Sequence, residues 1–410
     1  MVGMIKRALY AIAFASKWGR QMRFITGPRQ AGKTILARQK LVDEKSSALY
    51  YLWDLRSVRQ RYKENELFFT ADSLAGDRPG WVCFDEIHKM PKWKNILKAA
   101  FDETSDRYHF IVTGSAKLDL KRRAGDSLAG RYFTFHLMPL VFSEIRGVSE
   151  ATLTVPASAG QFIEGQLQQF TPGPSDQELL MRLLEYSGFP ETFLHQSRAF
   201  HAKWSRDYLD TVIREDIGAL TRIVDREHIY DLYQLLPGMV GSPLSVSSLA
   251  SHLQISPVTA KNYLRRLDDF YLAFSIRPYA RNIKRSLLKA GKYYLYDWTR
   301  IADPGARFEN YVACELKTRI QLWGDASGDD FQLFYIRNKQ KQETDFLVVQ
   351  NGKPWLLVES KLSDGLIDRH HFHAAEALDS TPFVQICRQP GIASIQKRNM
   401  YRISANRFFG

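Results

Sequence analysis

The run Arg23-Phe24-Ile25-Thr26-Gly27-Pro28-Arg29-Gln30-Ala31-Gly32-Lys33-Thr34 constrains this chain more than any other stretch. A strand-like apolar segment enters G-x-x-x-x-G-K-T, and a helical run from Ile35 to Leu41 leaves it. Gly27 and Gly32 let the backbone curl so that successive N–H groups point at one anion. A helix starting near Lys33 adds the positive end of its dipole. In such a phosphate-binding loop Pro28, Arg29, Gln30 and Ala31 supply the cradle. Lys33 reaches the β- and γ-phosphates and Thr34 ligates Mg²⁺. The spacing therefore predicts a nucleotide site with ATP and Mg²⁺ as cofactors.

Residues 1–146 alternate strands and helices, which predicts a parallel sheet covered by helices. Within them Trp81-Val-Cys-Phe-Asp85-Glu86 is an apolar strand ending in two carboxylates. This is the Walker B pattern: Asp85 is delivered to the metal, as a direct ligand or through one of the metal's waters, and Glu86 sits where it can polarise an attacking water. A further strand, His109 to Thr113, ends in Gly114-Ser115.

Several segments together resemble a large group of bacterial and archaeal AAA+-type ATPases, whose ATPase domain is joined to a C-terminal region of unknown function. They are Gly27-Pro-Arg-Gln-Ala-Gly-Lys-Thr34, Ser127-Leu-Ala-Gly-Arg131-Tyr-Phe133 and His136-Leu-Met-Pro-Leu-Val-Phe-Ser-Glu144, then Ser187-Gly-Phe-Pro-Glu191, Arg214-Glu-Asp-Ile217 and Ala306-Arg-Phe-Glu309-Asn310 with the acidic cluster near residue 345. The resemblance spans nearly the whole chain except 147–178. It implies ATP hydrolysis. It also implies that Thr113 or Ser115 touches the γ-phosphate or the water, and that Arg131 lies near the phosphates, in cis or from a neighbouring subunit. A salt bridge at a domain edge is the other reading of Arg131.

Beyond the first domain, 147–178 is rich in Gly, Ser, Pro, Thr and Gln and reads as a loop or insert. Residues 179–240 have a helical period, with Arg214-Glu215-Asp216 on a solvated or salt-bridged helix face. Residues 241–303 read as a winged helix-turn-helix. Ser256 caps its second helix with Pro257 at the first position. Ala260, Leu264, Leu267 and Tyr271 form the buried stripe, and Thr259, Lys261, Asn262, Arg265 and Arg266 the exposed face. From Pro257 to Arg300 ten Lys/Arg stand against three Asp and no Glu, as contact with phosphates requires. Arg281, Lys284, Arg285, Lys289 and Lys292 fall where the wing would lie.

Residues 304–410 hold a second constellation. Glu309 sits on a predicted helix, Asp345 on a strand, and Glu359-Ser-Lys361 on the returning strand after Asn351-Gly352. Asp…Glu-x-Lys on paired strands resembles restriction-endonuclease-like metal nucleases. Glu309, Asp345 and Glu359 would hold Mg²⁺ and Lys361 would orient the water. Register decides whether the carboxylates meet. A two-residue turn puts Asp345 opposite Val358, so the site predicts a three-residue loop, Asn351-Gly352-Lys353, with Gly352 at positive φ. His370, His371 and His373 read as surface histidines, not zinc ligands.

The fold class is thus multidomain α/β: a P-loop NTPase parallel sheet, a small all-α region, a winged helix and an α/β restriction-endonuclease-like C-terminal domain. A net charge of +13 favours a polyanionic partner such as DNA. A homo-oligomer or a partner protein is also compatible. Three scattered cysteines suit a reducing compartment, no segment suits a bilayer, and a cytoplasmic location is expected. The first functional reading is an ATP-driven enzyme acting on DNA. The second is a nucleotide-gated switch or interaction protein with an inactive nuclease-like domain.

Overall fold

A computed structural model describes residues 5–72, 80–90, 92–114, 128–147, 154–168, 170–218, 226–280 and 290–410. The chain divides into two separately packed units, Arg7–Met138 and Pro139–Gly410, so the first ends short of the expected boundary at 146.

In the first unit, β1 (Met22–Thr26), β2 (Tyr50–Leu52), β3 (Gly80–Asp85), β4 (Tyr108–Gly114) and β5 (Tyr132–His136) pair in parallel in the order β2-β3-β4-β1-β5. Apolar runs such as Trp81-Val-Cys-Phe84 suit strands covered on both faces, and Phe24, Val82, Phe84, Phe110 and Val112 are fully buried. Parallel pairing brings the C-terminal ends of β1, β3 and β4 to one sheet edge. Thr26 is level with Gly114, and Asp85 with Thr113. The glycine loop follows β1 at that edge and leads into the helix Lys33–Asp43.

The second unit holds one mixed sheet of eight strands: β6 (Ala273–Pro278), β7 (Lys292–Leu295), β8 (Phe331–Arg337), β9 (Glu343–Gln350), β10 (Lys353–Lys361), β11 (Phe383–Cys387), β12 (Ala393–Lys397) and β13 (Met400–Ser404). Their order is β12-β13-β11-β10-β9-β8-β6-β7. Because β6 pairs with β8, this sheet crosses the expected domain boundary at 303. The helix Pro304–Ser327 packs against it, and the Asn310 side chain exchanges two hydrogen bonds with the backbone of Leu295 (2.8 and 2.7 Å). That clamp holds β7 beside the residue Glu309.

Three expectations for this unit need correction. The 147–178 segment is not only loop: Ala159–Gln168 is helical, burying Phe162 and Ile163, and Pro174–Tyr186 begins with proline at its first turn. The Asn351-Gly352 turn has two residues, with Lys353 facing Gln350, and both turn residues have positive φ (49° and 78°). This is the twist-matched hairpin turn that Asn-Gly favours. Taken alone it would misplace Asp345. Trp355, however, is bulged out between Pro354 (facing Val349) and Leu356 (facing Val348). From there Val358 faces Phe346, and the continued register sets Asp345 opposite Glu359. Finally, Lys292 is fully buried and does not sit on an exposed wing.

Before this sheet, the helices Val246–His252 and Pro257–Asp269 are capped by Ser245 and Ser256, each side-chain oxygen accepting an N–H three residues on (3.2 and 3.0 Å). Ala260, Leu264, Leu267 and Tyr271 are all buried, while Lys261, Asn262 and Arg265 are exposed. The antiparallel pair β6–β7 follows. Arg281, Lys284, Arg285 and Lys289 lie outside the described residues. Arg214 pairs with Asp210 and Glu227 (3.7 and 3.5 Å) across a π-helical turn, Thr211–Ile217. Among the described residues, no helix is long and apolar enough to cross a membrane.

Candidate functional sites

The first site is built at the sheet edge of the Arg7–Met138 unit. Gly27 has φ 148°, and a Cβ there would lie 2.0 Å from the Leu137 carbonyl oxygen. Only glycine lets the loop pass so close to the end of β5. Gly32 has φ 100°, at the start of the helix that Lys33 and Thr34 open. Lys33 is buried, and its Nζ donates to the carbonyls of Gly27 (3.0 Å) and Pro28 (2.6 Å). Arg7, which sequence reasoning passed over, donates from Nη1 to the Ala31 carbonyl (2.7 Å) and from Nη2 to that of Met138. It ties the loop to the chain just beyond β5. Only its tertiary partners reveal it.

Asp85 is 2% exposed at the end of β3. Its Oδ2 accepts from Thr34 Oγ1 (2.8 Å) and from the Tyr50 hydroxyl, and its Oδ1 accepts from Thr113 Oγ1. Thr34 and Thr113 thus meet at the Asp85 carboxylate from two elements. Glu86 follows with φ 58°, its Oε2 3.9 Å from Lys89 Nζ. Ser115 lies outside the described residues.

Arg131 is not beside this loop. It precedes β5 and its carbonyl accepts from Met22 N–H at the start of β1, whereas the glycine loop follows the end of β1. Five strand residues of about 3.3 Å each separate the two levels. Its guanidinium instead makes a two-pronged pair with Asp102 (2.7 and 2.9 Å). The salt-bridge reading therefore holds within this chain. Arg131→Ala should leave the KM for ATP within about twofold, since a partly exposed pair adds little elsewhere. A large rise in KM, measured by steady-state hydrolysis, would contradict this placement.

The second site lies in the Pro139–Gly410 unit. Lys292 Nζ lies 3.2 Å from Glu309 Oε1 and 3.8 Å from Asp345 Oδ1, and it also pairs with Glu343. Tyr294, two residues on and on the same face of β7, donates to Glu309 (2.8 Å). Asp345 N–H donates to Glu359 Oε2 (3.2 Å), and Asp345 Oδ2 accepts from Ser360 N–H (2.9 Å) and Oγ (2.7 Å). Lys361 Nζ donates to Glu359 Oε1 (2.8 Å). Glu309 and Asp345 are therefore brought together by Lys292, a lysine that was missed, and Glu359 with Lys361 joins them through Asp345. The sequence signal was a charged residue in the otherwise apolar strand Lys292-Tyr-Tyr-Leu295. Glu343, two residues before Asp345, was legible by the same alternation.

Those carboxylates do not close into a compact ligand set. Among the described residues, the group with one donor atom each within 4.8 Å is Asp368, His370 and His371. The expectation that these histidines lie on the surface fails for His371, which is 1% exposed. Its Nδ1 bonds Thr344 Oγ1 (2.9 Å), its Nε2 lies 3.9 Å from Glu359 Oε2, and burial lowers its pKa to about 3. His370 Nε2 donates to the Glu343 carbonyl (2.9 Å), while His373 is exposed.

Burial, then the charge of Asp345, raises Glu309 to about pH 7 and Glu359 to about pH 8. Both hold a proton more tightly folded than unfolded, so their contribution to stability falls as pH rises from about 4.5 through these values. In metal-free buffer, the thermal midpoint of this unit should fall between about pH 5 and pH 8. Glu309→Gln should flatten that fall, and an unchanged slope in the variant would contradict the assignment.

Residues 19–146 match the model of an AAA domain. Residues 177–299 and 304–404 match two domains of unknown function, DUF8612 and DUF4143. The N-terminal part of this chain is thus similar to an AAA domain. Two curated relatives, the uncharacterized proteins Rv2008c of Mycobacterium tuberculosis and Mb2031c of Mycobacterium bovis, are each 25% identical over 343 residues, covering 81% of this chain and 68% of the relative. Among solved structures, the ORC1 protein of Aeropyrum pernix in complex with DNA is 13% identical with a TM-score of 0.30, covering 73% of this chain and 88% of that one. AMPPCP-bound DnaA from Aquifex aeolicus is 14% identical with a TM-score of 0.28, covering 65% and 89%. Likenesses this loose establish no shared function.

Proposed function

We propose that this protein is a Mg²⁺-dependent ATPase that acts on DNA. The observation that carries the ATPase reading is the meeting of Thr34 with Asp85 beside the buried Lys33. ATP and Mg²⁺ fit these residues. Gly27 and Gly32 would shape the phosphate cradle, Lys33 would turn its ammonium to the phosphates, Thr34 and Asp85 would hold the metal, and Glu86 would orient water. The bound metal supplies charge neutralisation at the transferring phosphoryl group.

The DNA reading rests on the exposed Lys261, Asn262 and Arg265 of a helix whose opposite face is buried, in a helix-turn-helix followed by a strand pair. We take this region as a winged helix. Arg265→Ala should weaken binding to duplex DNA and lower the slope of log K against log salt by about one unit if Arg265 meets a phosphate. Fluorescence anisotropy across a salt series measures it, and an unchanged slope would remove Arg265 from the interface.

The C-terminal cluster is read as a restriction-endonuclease-like site. A divalent cation there would have to draw the carboxylates of Glu309, Asp345 and Glu359 closer together and displace the protons that Glu309 and Glu359 hold near neutral pH. Strand cleavage on a denaturing gel that survives Asp345→Ala would refute a metal nuclease there.

A further inference from the structure

We infer that Tyr50 is a positioning residue of the ATPase site: its phenol fixes the Asp85 carboxylate in the orientation that receives Mg²⁺. The inference rests on the ATPase reading above and adds a residue outside the glycine loop and the β3 motif.

Sheet register explains why this tyrosine is in reach. Tyr50 is level with Cys83, and Leu52 with Asp85. Side chains alternate along a strand, so Tyr50 shares the face of Asp85, one alternate position away. A phenol spans that offset and a serine would not. Tyr51 points to the other face, where it is buried and donates to Asp72 (2.9 Å).

A buried carboxylate has room for about four hydrogen-bond donors. At Asp85 three positions are taken by hydroxyls from three different elements: Thr34 from the helix after the loop, Thr113 from β4 and Tyr50 from β2. Thr34 would ligate the metal through an oxygen lone pair while its hydroxyl still donates to Asp85, so that contact is compatible with a loaded site. Thr113 is level with Asp85 in the sheet and holds the other oxygen. Tyr50 bonds the same Oδ2 as Thr34, from a strand that does not belong to the loop. It therefore supplies a fixed reference for the oxygen at which loop and carboxylate meet.

One feature keeps the phenol in that role. The Arg38 guanidinium stacks 4.3 Å over the Tyr50 ring, restraining it from the helix side.

The test is Tyr50→Phe, which keeps the ring and its stacking and removes one O–H. Hydrolysis is measured at fixed ATP while Mg²⁺ is titrated, and binding of a fluorescent ATP analogue is measured in EDTA. The expected result is an increase of about tenfold in the Mg²⁺ concentration for half-maximal rate, the scale of one hydrogen bond to a charged group. Binding in EDTA should match the wild type, a separation from the Mg²⁺ effect that a merely structural role would not give. An unchanged or lowered Mg²⁺ requirement in Tyr50→Phe, beside a normal wild type, overturns the role of Tyr50 alone. A wild type without Mg²⁺-dependent hydrolysis overturns the ATPase reading and this inference with it.

Discussion

Lys33→Ala should reduce ATP hydrolysis by at least about a hundredfold, the scale set by removing one preorganised electrostatic contact to a developing charge. Lys33 is 6% exposed, and its ammonium lies on the carbonyls of Gly27 and Pro28. Its four-carbon stem is thus ordered beside the cradle before any phosphate arrives. Alanine removes the charge and leaves the helix start intact, because Gly32 and Thr34 still shape it. The loss should therefore appear in kcat. Phosphate release under saturating ATP measures it. Turnover within about threefold of the wild type would show that the hydrolysis is not supported by this loop.

The second large effect is expected at Lys292. Replacing it with methionine leaves Glu309, Glu343 and Asp345 facing one another without the buried ammonium that pairs with them. Removing one partner from a buried ionic cluster costs about 3–5 kcal/mol. Lys292→Met should lose stability on that scale in EDTA, measured by urea unfolding of the full chain. Millimolar Mn²⁺ should restore part of it, because a divalent ion can replace the missing positive charge. Adding Glu309→Gln to the same chain should also restore part of it. A variant as stable as the wild type would mean that Lys292 does not neutralise the cluster. Loss without rescue by Mn²⁺ would argue against a cation site among these carboxylates.

What was legible in the sequence was local chemistry. Gly27 to Thr34 and Trp81 to Glu86 carry their geometry in consecutive residues, and parallel pairing of apolar strands brings them to one edge. The helix cap at Ser256 was equally local. What escaped depended on register and tertiary pairing. Arg131 follows a readable motif, yet its distance from the loop depends on which end of β1 it meets. The hairpin after Gln350 shows the same limit. Asn351-Gly352 announces a two-residue turn, but the bulge at Trp355 that brings Asp345 level with Glu359 leaves no local mark. Lys292 and Tyr50 were missed because their partners are Glu309, Glu343, Asp345 and Asp85, all distant in the chain. His371 looked like one of three surface histidines until the sheet buried it against Thr344.

Steady-state ATP hydrolysis by the wild-type chain in Mg²⁺, with and without duplex DNA at several salt concentrations, tests the central claim most directly. The account predicts Mg²⁺-dependent turnover that rises on adding DNA, with a stimulation that weakens steeply as salt increases. Turnover indifferent to DNA at every salt concentration would contradict the DNA-acting ATPase and favour a nucleotide-gated protein switch.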